Sequence, residues 1–168
     1  MVTLGNSPVV GSGDTASIQS ALATNLIAAP DIPFAELHRP WGTTYMKLLR
    51  CSLSENSFIN IVRWTSGVRL TTHYHAGPVY AYTLSGRWHY EEYDWVATPG
   101  TLVHETPGTV HTLVVDEPTE GLFINLGPIL YLDGDGRVAR VQDAQSTLQD
   151  CREALAVQGL ELTGTLID

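Results

Sequence analysis

Basic residues are what this 168-residue chain has least of. Lys47 is its only lysine, and nine Lys and Arg stand against eighteen Asp and Glu, a formal charge of −9. Nucleic acid and anionic membranes are excluded as partners, because both need a clustered basic face. One lysine also leaves little scope for Schiff-base chemistry. Cysteine is almost as scarce: Cys51 and Cys151 stand 100 positions apart and in no CxxC pair. That is too little sulfur for a thiolate metal site or a disulfide framework. No apolar run approaches the roughly 18 residues of a membrane helix. The N-terminal MVTLGNSPVVGSGDTASIQ has no basic residue ahead of its apolar stretch, so no signal peptide is expected and a cytoplasmic location is. Only 16% of residues are charged, 43% are hydrophobic, and there are 15 Gly and 9 Pro. This is the composition of a packed, turn-rich single domain with decorated ends, neither disordered nor coiled coil.

Three textures follow one another along the chain. Residues 1–40 form an N-terminal extension that begins Ala-, Ser-, Thr- and Gly-rich; Asp14 is placed to cap a short helix through Ile18, Leu22 and Leu26 that Pro30 ends. Residues 41–140 hold eight short runs rich in β-branched and aromatic residues, from TYMKLLRCSL to ILYL. Joints such as SENS, ATPG and DEPTEG separate them, and the spacing predicts an antiparallel sandwich or barrel. Residues 141–168 form a C-terminal helix and tail. Asp143 precedes a segment with Leu148, Cys151 and Leu155 on one face and Gly159 at its exit. DGDG at 133–136 lacks the closing Glu of a calcium loop and reads as a hairpin turn.

Six histidines carry the chemistry worth weighing. His73 and His75 stand at i and i+2, so a strand puts both imidazoles on one face. His111 opens another apolar strand directly after Pro107-Gly108. Such a set can surround one divalent cation with three neutral nitrogens and leave coordination positions open, as catalytic sites do. The plainer reading is three histidines on the rim of a sheet.

The glycines around these histidines resemble the cupin family. Gly67, five residues, His73-Tyr74-His75, three residues, Val79, six residues, Gly86 follows the first cupin motif. Gly100, five residues, Thr106-Pro107-Gly108, two residues, His111, three residues, Val115 follows the second. Every Gly and His is in register; the two departures are Val79, where the family usually carries a metal-binding Glu, and Val115, where it carries Asn. The resemblance implies an all-β cupin barrel, a jelly roll or double-stranded β-helix, with a metal on His73, His75 and His111 and no carboxylate from the motif. Imidazoles alone would take Zn, Ni or Cu as well as iron; Fe(II) is implied by the three-His branch of the family. If a strand runs unbroken from His73 to Val79, Val79 shares the face of the two histidines.

The run from Ala81 to Leu113, followed by ILYLDGDGRV and a terminal helix, is similar to the 2,4'-dihydroxyacetophenone dioxygenase group of small cupins. That resemblance implies a C–C bond-cleaving oxidoreductase acting on a small aromatic ketone and O₂, yielding 4-hydroxybenzoate and formate. Rival readings are a β-diketone- or flavonol-cleaving cupin, a zinc-binding sensor cupin and a storage cupin. Glu105 is the candidate catalytic residue, a proton acceptor if it faces the cavity and a solvated carboxylate at a strand end otherwise. Tyr80 and Tyr82 have the parity opposite to the histidines and are expected in the core. Trp64, Tyr90, Tyr93 and Trp95 are candidate walls of an aromatic pocket. Arg63 and Arg69 are expected in surface ion pairs, and His89 and His104 as ordinary strand residues. Barrels of this class expose edge strands, so a homo-oligomer is expected.

Overall fold

The computed structural model describes residues 25–168; Asp14, Ile18 and Leu22 of the expected N-terminal helix lie outside them, and Leu26, expected in the same helix, is in none. After a 3-10 turn at Ala29–Asp31 come β1 (Ala35–Arg39), β2 (Gly42–Ser52), β3 (Ser57–Trp64), β4 (His73–His75), β5 (Val79–Tyr90) and β6 (Leu102–Glu105). Then follow β7 (Val110–His111), β8 (Leu113–Asn125), β9 (Ile129–Leu132), β10 (Val138–Gln142), helix α1 (Ala144–Val157) and β11 (Leu166–Ile167). One sheet has seven strands in the order β1-β2-β3-β8-β5-β6, with β11 joined in parallel to β2; the other has four, β10-β9-β4-β7. All other pairings are antiparallel.

This is the all-β barrel the cupin motifs imply. Its strands begin at Ala35, ahead of the boundary expected at Trp41, because Ala35 to Arg39 pair in register with Met46 to Gly42. The tail also rejoins the barrel, with Leu166 and Ile167 beside Arg50 and Cys51. α1 matches its sequence signals. Asp143 Oδ1 accepts the Ser146 N–H at 2.8 Å, Ser146 Oγ accepts the Asp143 N–H at 2.9 Å, and Gly159 exits at φ +72°. Its buried face, including Leu148, Cys151 and Leu155, packs over β1, β2 and β3.

Period-2 alternation directs one face of each strand into the barrel. On β3, Phe58, Asn60, Val62 and Trp64 are buried; on β5, Val79, Ala81 and Thr83 are. Tyr80 and Tyr82 belong to the other face. They are 37% and 40% exposed, which corrects their expected place in the core. The reason is coverage: α1 lies over β1 to β3 and leaves the outer face of β5 and β6 open to water. There Tyr80 stacks on His104 at 4.9 Å.

β4 and β5 are not one strand. The chain changes sheet at Ala76-Gly77-Pro78, where the Ala76 N–H donates to the Pro128 carbonyl at 2.9 Å and the Leu126 N–H to that of Pro78 at 3.1 Å. A Cβ on Gly77 would drive into the backbone carbonyl of Leu126. Gly77→Ala should therefore lower the unfolding free energy by about 3 kcal/mol, the cost of overpacking where only backbone can move. Gly134→Ala, with nothing within 4 Å, should leave the urea midpoint nearly unchanged. Equal midpoints for the two variants would contradict this packing.

Candidate metal centre

The site is built by register. On the four-stranded sheet His73 lies directly opposite His111 on β7 and Tyr131 on β9, and His75 follows two residues along the same face. One nitrogen from each of His73, His75 and His111 lies within 4.8 Å of the others, and all three residues are buried. The ring centroids are 4.8 to 5.4 Å apart. Between β6 and β7, the Gly108 N–H donates to the His75 carbonyl at 2.8 Å, with Gly108 at φ +83°. That bond ties the turn carrying His111 to the strand carrying His75.

Glu105 closes the cluster from the other sheet. It is 4% exposed, and its Oε2 lies 2.9 Å from His75 Nε2 and 3.4 Å from His111 Nε2. Its Oε1 accepts the Tyr90 hydroxyl at 2.6 Å, and the Tyr90 ring stacks on His111 at 3.9 Å. On the seven-stranded sheet Asn125, Val79 and Glu105 form one cross-strand row. Val79 therefore shares a face with Glu105 and not with His73 and His75, which lie on the opposite sheet, because the strand expected to run unbroken from His73 to Val79 changes sheet between them. The motif-based expectation that no carboxylate reaches the site needs amending: the group missing at Val79 arrives from its neighbour across the ladder.

The donor set fits a divalent cation. The Thr71 carbonyl, which can only accept, meets His73 Nδ1 at 2.8 Å, so that nitrogen carries the proton and Nε2 presents a lone pair. His111 Nε2, Glu105 Oε2 and His75 Nδ1 are buried and lack hydrogen-bond partners, the short contacts to Glu105 being off hydrogen-bonding geometry. Orphaned buried polar atoms are rare, and a cation held by the imidazoles would give those facing it a partner. Burial, with the neighbouring His75 and His111, lowers His73 to about 3. Burial lowers His111 to about 4, against the pull of Glu105. Burial raises the Glu105 carboxyl, but His75, His111 and Tyr90 outweigh it and hold the group below its ordinary value. Burial and Glu105 push the Tyr90 hydroxyl well up, so it stays a neutral donor.

Two rings kept neutral in the native state make the metal-free protein acid-sensitive. Unfolding releases His73 and His111 to their ordinary value near 6.5, so the unfolded chain binds protons that the native one does not. Their contribution is complete above pH 6.5 and falls as pH drops toward 4 and then 3, by about 1.4 kcal/mol per pH unit for each ring. Urea midpoints of the chelator-treated protein should decline from pH 7 to 5, and a flat profile would contradict neutral burial.

His73, His75 and Glu105 stand at the wall of a cavity of ≈ 60 Å³. Trp41, Trp64, Leu70, Leu113, Phe123 and Tyr131 supply most of its apolar lining. Of the aromatic residues singled out in sequence, Trp64 and Tyr90 face this cavity. Tyr93 and Trp95 stack on each other at 5.6 Å and line an adjoining pocket of ≈ 430 Å³, whose wall includes His111 and shares Tyr90 and Glu105 with the first. Arg63 pairs with Glu120 and Arg69 with Glu91 at the surface. His89 pairs with Asp116, and His104 faces outward. Asn60 also lines the cavity; the sequence reading passed over it, although its parity with Phe58 and Val62 was available.

Solved structures share this architecture. An RmlC-like cupin from Ralstonia eutropha JMP134 is 24% identical, with a TM-score of 0.78 over 86% of this chain and 94% of that one. An acetylacetone dioxygenase from Acinetobacter johnsonii is 16% identical, with a TM-score of 0.68 over 92% and 99%. A putative acetylacetone dioxygenase from Methylibium petroleiphilum PM1 is 16% identical, with a TM-score of 0.66 over 89% and 97%. At these identities the likeness is one of fold. No curated protein gives a significant match. Among the described residues no helix is long and apolar enough to cross a membrane. The sequence profile of the ChrR cupin-like domain matches residues 23–130, a span that contains all three histidines and Glu105, and the chain belongs to that cupin family.

Proposed function

We propose that the protein is a non-haem Fe(II) dioxygenase that cleaves a C–C bond of an aryl hydroxyketone, taking 2,4'-dihydroxyacetophenone and O₂ to 4-hydroxybenzoate and formate. The observation that carries this reading is the buried His73–His75–His111 triad with one ionisable carboxylate against it, at the end of an aromatic-walled cavity. Bound on the imidazoles, the iron would supply coordination for the two substrate oxygens and for O₂, and the electrons for oxygen chemistry. The chain's own part is positional and protic. Glu105 Oε2, held ionised below the usual carboxylate value, accepts the proton of the substrate hydroxyl. Tyr90 donates to Oε1 and keeps Oε2 turned toward the histidines. Trp64, Phe123, Leu70 and Leu113 exclude water from the reacting carbons.

A second reading, cleavage of a short β-dicarbonyl, is favoured by the size of the cavity that His73 and His75 line. Some 60 Å³ holds only a few non-hydrogen atoms as it stands, and two of the proteins sharing the fold are named as an acetylacetone dioxygenase and a putative one. The test is O₂ uptake by anaerobically iron-loaded protein with 2,4'-dihydroxyacetophenone and with acetylacetone, side by side. Stoichiometric 4-hydroxybenzoate and formate would support the first reading. Turnover of acetylacetone alone would replace it with the second, and uptake with neither would leave a metal-holding sensor domain. We also read the chain as a cytoplasmic homo-oligomer with no nucleic-acid partner. The open row of Tyr80, Tyr82, Leu84 and Leu102 beside edge strand β6 supports self-association, and a monomeric mass in light scattering would remove it.

A further inference from the structure

The polar side chains of the cavity wall can be accounted for one by one. Trp41 Nε1 and Trp64 Nε1 both donate to Thr44 Oγ1, at 3.1 and 2.9 Å. The Tyr131 hydroxyl donates to Gln142 Oε1 at 3.2 Å, and the Tyr90 hydroxyl to Glu105 Oε1. Arg39 is engaged by Asp150 at 2.6 Å, and Asn125 Nδ2 reaches the Phe58 carbonyl at 3.5 Å. Outside the triad and Glu105, one atom of this wall is buried without a hydrogen-bond partner among the described residues. It is Asn60 Oδ1, on a residue only 3% exposed.

Asn60 sits at the centre of the seven-stranded sheet, in the row Leu48–Asn60–Phe123–Ala81, on the face that looks across the cavity toward the sheet carrying His73 and His75. Its amide nitrogen touches only the Met46 thioether, at 3.6 Å, a weak acceptor. A leucine of similar volume would fill the same space at no desolvation cost. A buried carbonyl left unpaired lowers stability, and local rules of this kind are broken mainly where a site needs them broken.

We infer that Asn60 is a specificity-determining residue whose carbonyl accepts a hydrogen bond from a hydroxyl on the substrate, remote from the two oxygens that face the triad. The inference rests on the reading that a ketone is chelated at His73, His75 and His111. It narrows the substrate to hydroxyketones that bear a second hydroxyl and counts against hydrocarbon β-diketones, which offer Asn60 no donor.

Binding tests this without any turnover. Cobalt(II)-loaded protein is titrated, with its visible spectrum as the readout, using two ligand pairs that each differ by one remote hydroxyl. The pairs are 1,3-dihydroxyacetone against hydroxyacetone, and 2,4'-dihydroxyacetophenone against 2-hydroxyacetophenone. Wild type should bind the hydroxyl-bearing member of at least one pair about tenfold more tightly, the scale of one neutral hydrogen bond. Asn60→Leu should bind both members alike, retain full cobalt, and melt at a higher temperature than wild type. Asn60→Asp keeps an acceptor in place and should keep the preference, so it serves if the leucine variant fails to fold. A preference that survives in Asn60→Leu overturns the proposal, as does its absence from wild type in both pairs or a failure of all four ligands to bind. Because cobalt binding needs no O₂ chemistry, failure of the dioxygenase reading would show separately, as absent O₂ uptake by iron-loaded protein that still discriminates within a pair.

Discussion

His111→Ala should strip the protein of its divalent ion and reduce O₂-dependent turnover below detection. His111 is the one member of the triad supplied from outside β4, it is 1% exposed, and it lies directly opposite His73. Without it two imidazoles remain, too few for the three protein ligands that a catalytic site of this kind needs. The barrel should still fold. The void left beside Tyr90 costs about 2–3 kcal/mol, and circular dichroism should retain the β-sheet signal. His104→Ala is the matching control: that ring stacks on Tyr80 on the outer face and should leave the metal in place. Elemental analysis of both variants decides, and full metal occupancy in His111→Ala would remove the assignment.

Glu105→Gln should separate holding the ion from using it. The substitution preserves shape and an acceptor for the Tyr90 hydroxyl while removing the negative charge 2.9 Å from His75 Nε2. Metal content should stay near that of wild type, while kcat falls by roughly ten- to a hundredfold, the usual effect of losing a group that supports a metal site. KM should change less than kcat, because the three histidines that would hold the ion and meet the substrate oxygens are untouched. An unchanged kcat would make Glu105 a bystander. Loss of the ion would make it a ligand in its own right, and the site would then be three histidines and a carboxylate.

What the sequence discloses here is what local physics determines. The i, i+2 histidines, the alternation in β3 and β5, and the Asp143 cap with its i, i+3, i+7 face are all written within a few residues of one another. So are the turns at Pro107-Gly108 and at DGDG, where Asp133 Oδ1 accepts from the Asp135 and Arg137 N–H groups. The remainder depends on partners distant in sequence. Parity assigns Tyr80 to one face of β5 but does not say that α1 stops short of covering it. Nothing between His73 and Val79 reveals a change of sheet except Gly77, whose need for space comes from Leu126. Glu105 was legible as a candidate, yet its contact with His75 and His111 follows from β6 lying beside β5, a pairing no local pattern encodes. The return of β11 to β2 was likewise invisible, since two residues carry no periodicity.

The pairing of Val79 with Glu105 separates where a charge is needed from which strand must bring it. Opposed residues on neighbouring antiparallel strands share a face, with Cβ atoms about 5 Å apart, so a carboxylate can reach nearly the same point in space from either backbone. The exchange Val79→Glu with Glu105→Val would carry the negative group from one strand to the other while leaving the electrostatic sum around the histidines unchanged. A barrel of this kind can thus drop the acidic position of its linear motif and keep the acid. Scanning chains for the motif alone would count such a site as lacking a carboxylate, when the group has only moved one strand sideways.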